Sequence, residues 1–153
     1  MTFKVERDLL TPELRRMARK VADKRPILKA MGSALVEWTK DAFKQPSRRP
    51  ETWDGLKGRL KKDGTRGPPR DGTPLLKSRS LMTHIHIESL SNDAVTVAPA
   101  HDYGVHHQFG APRANIPPRP FFPFDSSGRM MGAARDRIRA AASAKIRALL
   151  RPQ

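Results

Sequence analysis

The sequence predicts an α+β fold with two N-terminal helices, a small antiparallel β-sheet, a long basic loop and a C-terminal helix. Apolar residues recur every three or four positions towards both ends of the chain and alternate with polar residues in the middle. With 153 residues, the chain is expected to form one domain around a modest core. We divide this single domain, 1–153, into a helical pair (11–45), a flexible basic loop (46–74), a β-sheet with an aromatic and proline-rich segment (75–124), and a C-terminal helix (126–150).

Two amphipathic helices are predicted in series at the N-terminal end. Thr11 is a hydroxyl N-cap, Pro12 suits the first helical position, and Glu13 places a carboxylate in the first turn. Pro26 breaks or kinks this helix, and the second helix ends before Pro46.

A β-hairpin is predicted in the middle of the chain. Apolar and polar residues alternate from Leu81 to Glu88 and again from Val95 to Pro99, with a turn at Ser91–Asp93 between them. Phe121–Phe124 is expected to add a short third strand at an edge, where proline is tolerated. Asp125–Gly128 is predicted to cap the last helix, which is rich in alanine and arginine.

The composition limits the classes of protein to which the chain can belong. There is no cysteine, so disulfides and thiolate metal sites are excluded, and a reducing cytoplasm suits the protein. No run of 18 apolar residues occurs and the first residues lack an apolar signal region, so neither membrane insertion nor classical export is expected. The 30 Lys and Arg residues against 15 Asp and Glu give a net charge of +15, which favours a polyanionic partner. Between Ser80 and Pro112, however, there is no Lys or Arg.

No motif for catalysis is found. The chain lacks a nucleophile elbow, a phosphate-binding glycine loop and a metalloprotease helix, so we expect no enzymatic activity and no cofactor. His84 and His86 would share a strand face, with His106 and His107 further along, but a zinc site needs three or four converging ligands. Alternating histidines on a strand more often form a polar face.

The basic loop offers contacts to a polyanion. Its candidate residues are Arg48, Arg49, Lys57, Arg59, Lys61, Lys62, Arg66 and Arg70. They could neutralise nucleic-acid phosphates without reading sequence, or the loop could order against an acidic protein. The C-terminal helix is cationic and amphipathic, but its alanine-rich stripe would insert weakly into a membrane, so packing on the sheet or on a neighbouring subunit is favoured.

The segment from Tyr103 to Phe124 concentrates aromatic residues and prolines. We read it as a polar aromatic turn up to Gly110, a short loop, and a rigid proline-rich stretch that could close the core or meet another subunit. Arg119 lies between prolines, and because guanidinium groups are rarely buried unless paired, it argues for a surface. The predicted subunit or partner interface comprises Tyr103, His107, Gln108, Phe109, Pro117, Arg119 and Phe121. We therefore expect Arg119→Ala to leave the fold intact and to weaken assembly.

Two motifs in this segment resemble a known signature. The runs V-H-H-Q-F-G at 105–110 and I-P-P-R-P-F-F at 116–122 are similar to those of the phage virion morphogenesis family, which includes tail completion proteins of P2-like and Mu-like tailed phages. The order of helices, Trp53 and the strand region agrees with it.

The resemblance implies a structural virion protein of the neck, at the head–tail junction, that assembles in the host cytoplasm. It would form a homo-oligomeric ring, a hexamer or dodecamer, that joins or terminates the tail. Portal or connector, tail terminator and tail tube proteins would be its partners, with non-specific contact to DNA passing through the neck and no membrane contact. The alternative is a small basic nucleic-acid-binding protein that uses the 44–79 loop.

Overall fold

The computed structural model of the chain describes residues 10–151 apart from 59–60, 66, 69–71, 73 and 77. Its helices are α1 (Leu10–Ala22), α2 (Arg25–Lys44), α3 (Ser80–Thr83), α4 (Tyr103–Phe109) and α5 (Gly132–Leu150), and its strands are β1 (Ile85–Leu90) and β2 (Val95–Pro99). Short 3₁₀ turns occupy Pro46–Arg48 and Pro112–Ala114. The predicted α+β class is confirmed. None of the helices described is long and apolar enough to cross a membrane.

Helix α2 is the central element and packs against α5 and both strands. The predicted break near Pro26 is present, since α1 ends at Ala22. Pro26 itself lies in the first turn of α2, where a backbone N–H would have no helical partner. Gly32 lets the helix approach the hairpin closely, because a Cβ at this position would lie 2.7 Å from Val95 Cγ2 and 3.1 Å from Ile87 Cδ1. The hairpin therefore sits directly on the middle of α2.

The two strands form the predicted antiparallel hairpin, paired from Ile85↔Pro99 to Leu90↔Val95 with a bulge between Ile87 and Ser89. The predicted start of the first strand at Leu81 is wrong, since residues 80–83 form the helical turn α3. Leu81 and Met82 are both buried. Neighbouring residues of a strand point to opposite faces, whereas a helical turn can direct both towards the core.

Two other local predictions are also wrong. Phe121–Phe124 adds no strand to the sheet, which has two strands in the described part of the chain, and Phe124 forms only an isolated bridge with Met130. Asp125–Gly128 does not cap the last helix, which begins at Gly132. Instead the Asp125 carboxylate accepts hydrogen bonds from the backbone N–H groups of Ser127 and Arg129 and closes a separate turn.

The core is an aromatic and aliphatic cluster beneath these elements, formed by Phe43, Trp53, Leu81, Met82, Ile85 and Phe121. The Trp53 and Phe121 rings pack on Phe43 with centroid distances of 5.6 and 5.2 Å. Trp53 Nε1 also donates to the Pro120 carbonyl at 2.8 Å. Trp53 thus fastens the first part of the basic loop to the body of the protein.

Candidate interaction surface

Helix α4 occupies the segment that the sequence suggested was a turn. The prolines of this region all follow Gly110, so residues 103–109 are free to form a seven-residue helix. Gly110 ends the helix with φ of 79°, a conformation that glycine adopts without strain. Gly104 faces inward, and a Cβ there would lie 2.6 Å from Pro99 Cγ. The glycine therefore sets α4 against the end of β2.

The outer face of α4 is apolar. Val105 and Phe109 lie four residues apart, on one side of the helix, and are 55% and 73% exposed. Tyr103 is 41% exposed. Phe109 is the most exposed of the large apolar residues that the structure describes.

Gln108 connects α4 to the proline-rich segment. Its side-chain Oε1 accepts hydrogen bonds from the backbone N–H groups of Phe121 and Phe122, both at 3.0 Å. The Arg119 N–H also donates to the His107 carbonyl at 2.6 Å. Because proline has no backbone N–H, these three bonds use the N–H groups of the residues between the prolines. Helix α4 and residues 119–122 are consequently one unit.

The predicted surface position of Arg119 is wrong. It is only 7% exposed, and its guanidinium donates to the Asp54 carbonyl at 3.2 Å and the Gly55 carbonyl at 3.4 Å. Backbone carbonyls, rather than a carboxylate, satisfy the buried cation. Arg119 therefore holds the basic loop against the proline-rich segment within one copy of the chain.

The predicted interface residues divide into two groups. Gln108, Arg119 and Phe121 are buried within the chain, with Phe121 at 0% exposure, so they are not available as surface. Tyr103 and Phe109 are exposed, while His107 and Pro117 are half-buried. Val105, which the sequence prediction omitted, belongs with the exposed group, and its i,i+4 spacing from Phe109 is the signal that could have revealed it.

An open groove runs beside the exposed face of α4, with a volume of about 700 Å³. Apolar side chains from β2, α4 and residues 121–124 line it, including Val95, Val97, Val105, Phe109, Phe122 and Phe124. Asp125 is the one charged residue in the described lining. Hydrogen bonds from Ser127 and then from the Arg129 backbone lower the pKa of Asp125 to about 2, so its carboxylate is ionised at neutral pH.

A row of rings lies on the other side of α4. The centroids are 5.1 Å apart from His84 to His101, 5.1 Å from His101 to Tyr103, and 5.9 Å from Tyr103 to His107. No group of three or more His, Cys, Asp or Glu side chains in the described ranges could hold a metal ion. These rings pack against one another, with His84 and Tyr103 exposed and His101 and His107 half-buried.

The basic loop is partly used by the fold itself. The Arg48 guanidinium lies 4.2 Å from the Trp38 ring centroid, and that of Arg49 lies 3.8 Å from the Trp53 ring centroid. Arg49 also donates to the Ala42 and Phe43 carbonyls at the end of α2, and burial lowers its pKa. Lys57, Lys61 and Lys62 are exposed, whereas Arg59, Arg66 and Arg70 lie outside the described residues.

The fold and the groove define a small α+β protein with an apolar surface suited to binding another protein. The model of the phage virion morphogenesis family matches residues 5–141. The chain therefore belongs to this family of phage structural and assembly proteins, and the resemblance noted in the sequence is confirmed. Neither the curated proteins nor the solved structures gave a significant match.

Proposed function

We propose that the chain is a head–tail junction protein of the virion, a tail completion or neck protein that assembles as a homo-oligomeric ring and joins or terminates the tail. Membership of the virion morphogenesis family supports a role in phage assembly. The observation that carries the proposal further is the exposed apolar surface formed by Val105, Phe109 and the groove beside them. A second copy of the chain is its proposed occupant.

Charge favours a second copy at this surface. Each chain carries +15, so two copies repel one another over most of their surfaces. The span from Ser80 to Pro112 contains no Lys or Arg, and it supplies β2 and α4 to the groove. Copies can therefore approach here with the least repulsion while they bury apolar area.

The surface has an exposed rim and a groove. Val105 and Phe109 are the exposed rim, and the rest of the lining includes Val97, Phe122 and Phe124. We propose that this rim contacts a different part of the groove on the next copy, which makes the contact heterologous, and such contacts close into a ring when the rotation permits. A hexamer or dodecamer in the neck, joined to portal or connector, tail terminator or tail tube proteins, is the assembly that we propose.

The test is the oligomeric state of the full chain, measured by sedimentation velocity over a range of concentrations. We expect Phe109→Ser to shift the protein from a closed oligomer to smaller species. Leu14→Ser is the matched control, because Leu14 is 62% exposed but lies on α1, away from the groove lining. If both variants assemble like the parent chain, or if Leu14→Ser alone dissociates it, the groove is not the subunit contact.

The alternative, a nucleic-acid-binding protein that uses the 44–79 loop, has less support. Two of its proposed phosphate contacts, Arg48 and Arg49, stack on tryptophan rings, and Arg49 also binds the end of α2. A Lys61→Gln/Lys62→Gln double variant tests whether the exposed lysines of the loop bind DNA. Unchanged DNA binding by this variant would count against the loop.

A further inference from the structure

A second surface, separate from the groove, is formed by α1 and α5. The two helices pack against each other, and near their C-terminal ends Lys20 Nζ donates to the Arg151 carbonyl at 3.2 Å. The C-terminal ends of the two helices therefore adjoin. We call the exposed faces of these two helices the α1/α5 surface.

This surface carries a group of arginines without partners. Arg15 and Arg19 on α1, and Arg135, Arg139 and Arg147 on α5, are exposed. Among the residues described, none of these five guanidinium groups makes a hydrogen bond or an ion pair, whereas Arg16, Arg25, Arg129 and Arg137 all form ion pairs. The five charges are therefore available to a partner.

Acidic residues do little to offset these charges. The two helices carry only Glu13 and Asp136, and Glu13 is paired with Arg16. Arg15 and Arg19 are four residues apart, as are Arg135 and Arg139, which corresponds to about 6 Å along a helix axis. Arg147 extends the group to about 18 Å from Arg135. Rigid helices thus hold several positive charges close together.

We propose that this α1/α5 surface binds the phosphate backbone of duplex DNA without reading its sequence. Five unpaired guanidinium groups on two adjoining helices suit a partner with a high density of negative charge, and duplex DNA offers one charge per about 1.7 Å of its axis. The planar guanidinium also binds phosphate oxygens in a bidentate manner. The inference goes beyond the proposed neck function and does not depend on the groove.

The experiment measures binding of the full chain to a fluorescent duplex of arbitrary sequence at several salt concentrations. Removing one cation that neutralises a phosphate reduces the slope of log K against log salt by about 0.9. We therefore expect Arg135→Gln/Arg139→Gln to lower the slope by about 1.8 and to weaken binding to all sequences alike. Arg135→Lys/Arg139→Lys keeps both charges and should keep the slope.

Lys61→Gln/Lys62→Gln is the control, since it removes the same charge from the basic loop and is expected to leave the slope unchanged. The reverse pattern, with a smaller slope for the loop variant and an unchanged slope for the α5 variant, would overturn the proposal. So would binding of the parent chain to polyglutamate but not to DNA, which would identify an acidic protein as the partner. Sedimentation of the same α5 variant reports separately on the ring, because the substituted residues lie outside the groove lining.

Discussion

Helix α4 and the proline-rich segment 116–124 are neighbours in sequence, yet they place their aromatic rings in opposite environments. Phe109, on α4, is 73% exposed, whereas Phe121 is fully buried against Phe43. Gln108 joins the two parts through hydrogen bonds to the backbone of Phe121 and Phe122. The buried half thus fixes the position of the exposed half, and we expect substitutions in the two halves to affect stability and assembly separately.

The largest expected loss of stability follows Phe121→Ala. The side chain is 0% exposed and contacts both the Phe43 and Phe122 rings, so its removal leaves a cavity in the core. We expect the free energy of unfolding to fall by about 3–5 kcal/mol. Urea denaturation, monitored by tryptophan fluorescence, measures it.

Phe109→Ala is the matched control, because it deletes the same ring from the exposed half. Measured on the monomeric form of the chain, the free energy of unfolding should change by no more than about 0.5 kcal/mol. Similar losses for the two phenylalanine variants would mean that both halves belong to the core, and the contrast between them would fail.

Gln108→Leu should break the connection between the halves. It leaves the buried N–H of Phe121 and that of its neighbour Phe122 without their acceptor. A fully buried donor left without an acceptor costs about 1–3 kcal/mol, and because Phe122 is only half-buried its N–H should cost less, so we expect a loss of about 2–4 kcal/mol in the free energy of unfolding. Gln108→Glu retains an acceptor oxygen and should lose less; a larger loss for Glu than for Leu would contradict this role.

Arg119→Ala tests the contact between the proline-rich segment and the basic loop. The buried position of Arg119 reverses the expectation that this variant keeps its stability. Removal of the bonds to the Asp54 and Gly55 carbonyls should cost about 1.5–3 kcal/mol. Thermal unfolding checks the prediction, with Arg129→Ala as an exposed arginine control; unchanged stability of Arg119→Ala would show that the carbonyl contacts contribute nothing.

The smallest effect concerns pH. Burial, followed by the nearby charges of Arg119 and His106, lowers the pKa of His107 in the folded chain. On acidification the unfolded chain therefore takes up this proton first, at about pH 6.5. Stability from this group is complete above that pH and is lost as the pH falls towards the lower folded pKa. His107→Gln should flatten the decline, and His106→Gln, which removes only the smallest of the three causes, should flatten it much less; identical curves for the parent chain and His107→Gln would exclude the effect.

Periodicity predicted most of the fold correctly. The apolar spacing and Pro26 indicated α1 and α2, and the alternation in residues 85–99 indicated the hairpin. It failed at Leu81 and Met82, because two adjacent buried residues do not fit the alternation of a strand. The left-handed backbone of Arg79, with φ of 55°, is also not visible in the sequence. It failed also at Asp125, where the same side chain could cap a helix or close a turn.

The candidate surface was predicted only in part, since burial depends on contacts between distant residues. Phe109 and Phe121 are the same residue type in the same segment, and nothing local distinguishes them. Arg119 is buried because the carbonyls of residues 54 and 55 lie beside it, and this contact spans 64 to 65 positions. Carbonyl oxygens belong to every residue, so a partner of this kind leaves no mark on the sequence.

The glycines at the base of the basic loop suggest a practical use. Gly58 lies so close to the Gly67 carbonyl that an added Cβ would be 1.8 Å from the carbonyl oxygen, and Gly64 between them is exposed with open space around it. The cost of closing a loop grows only with the logarithm of its length, about 0.6 kcal/mol for each doubling. An epitope or fluorescent tag inserted at Gly64 should therefore mark the chain during phage assembly while the groove and the α1/α5 surface keep their structure.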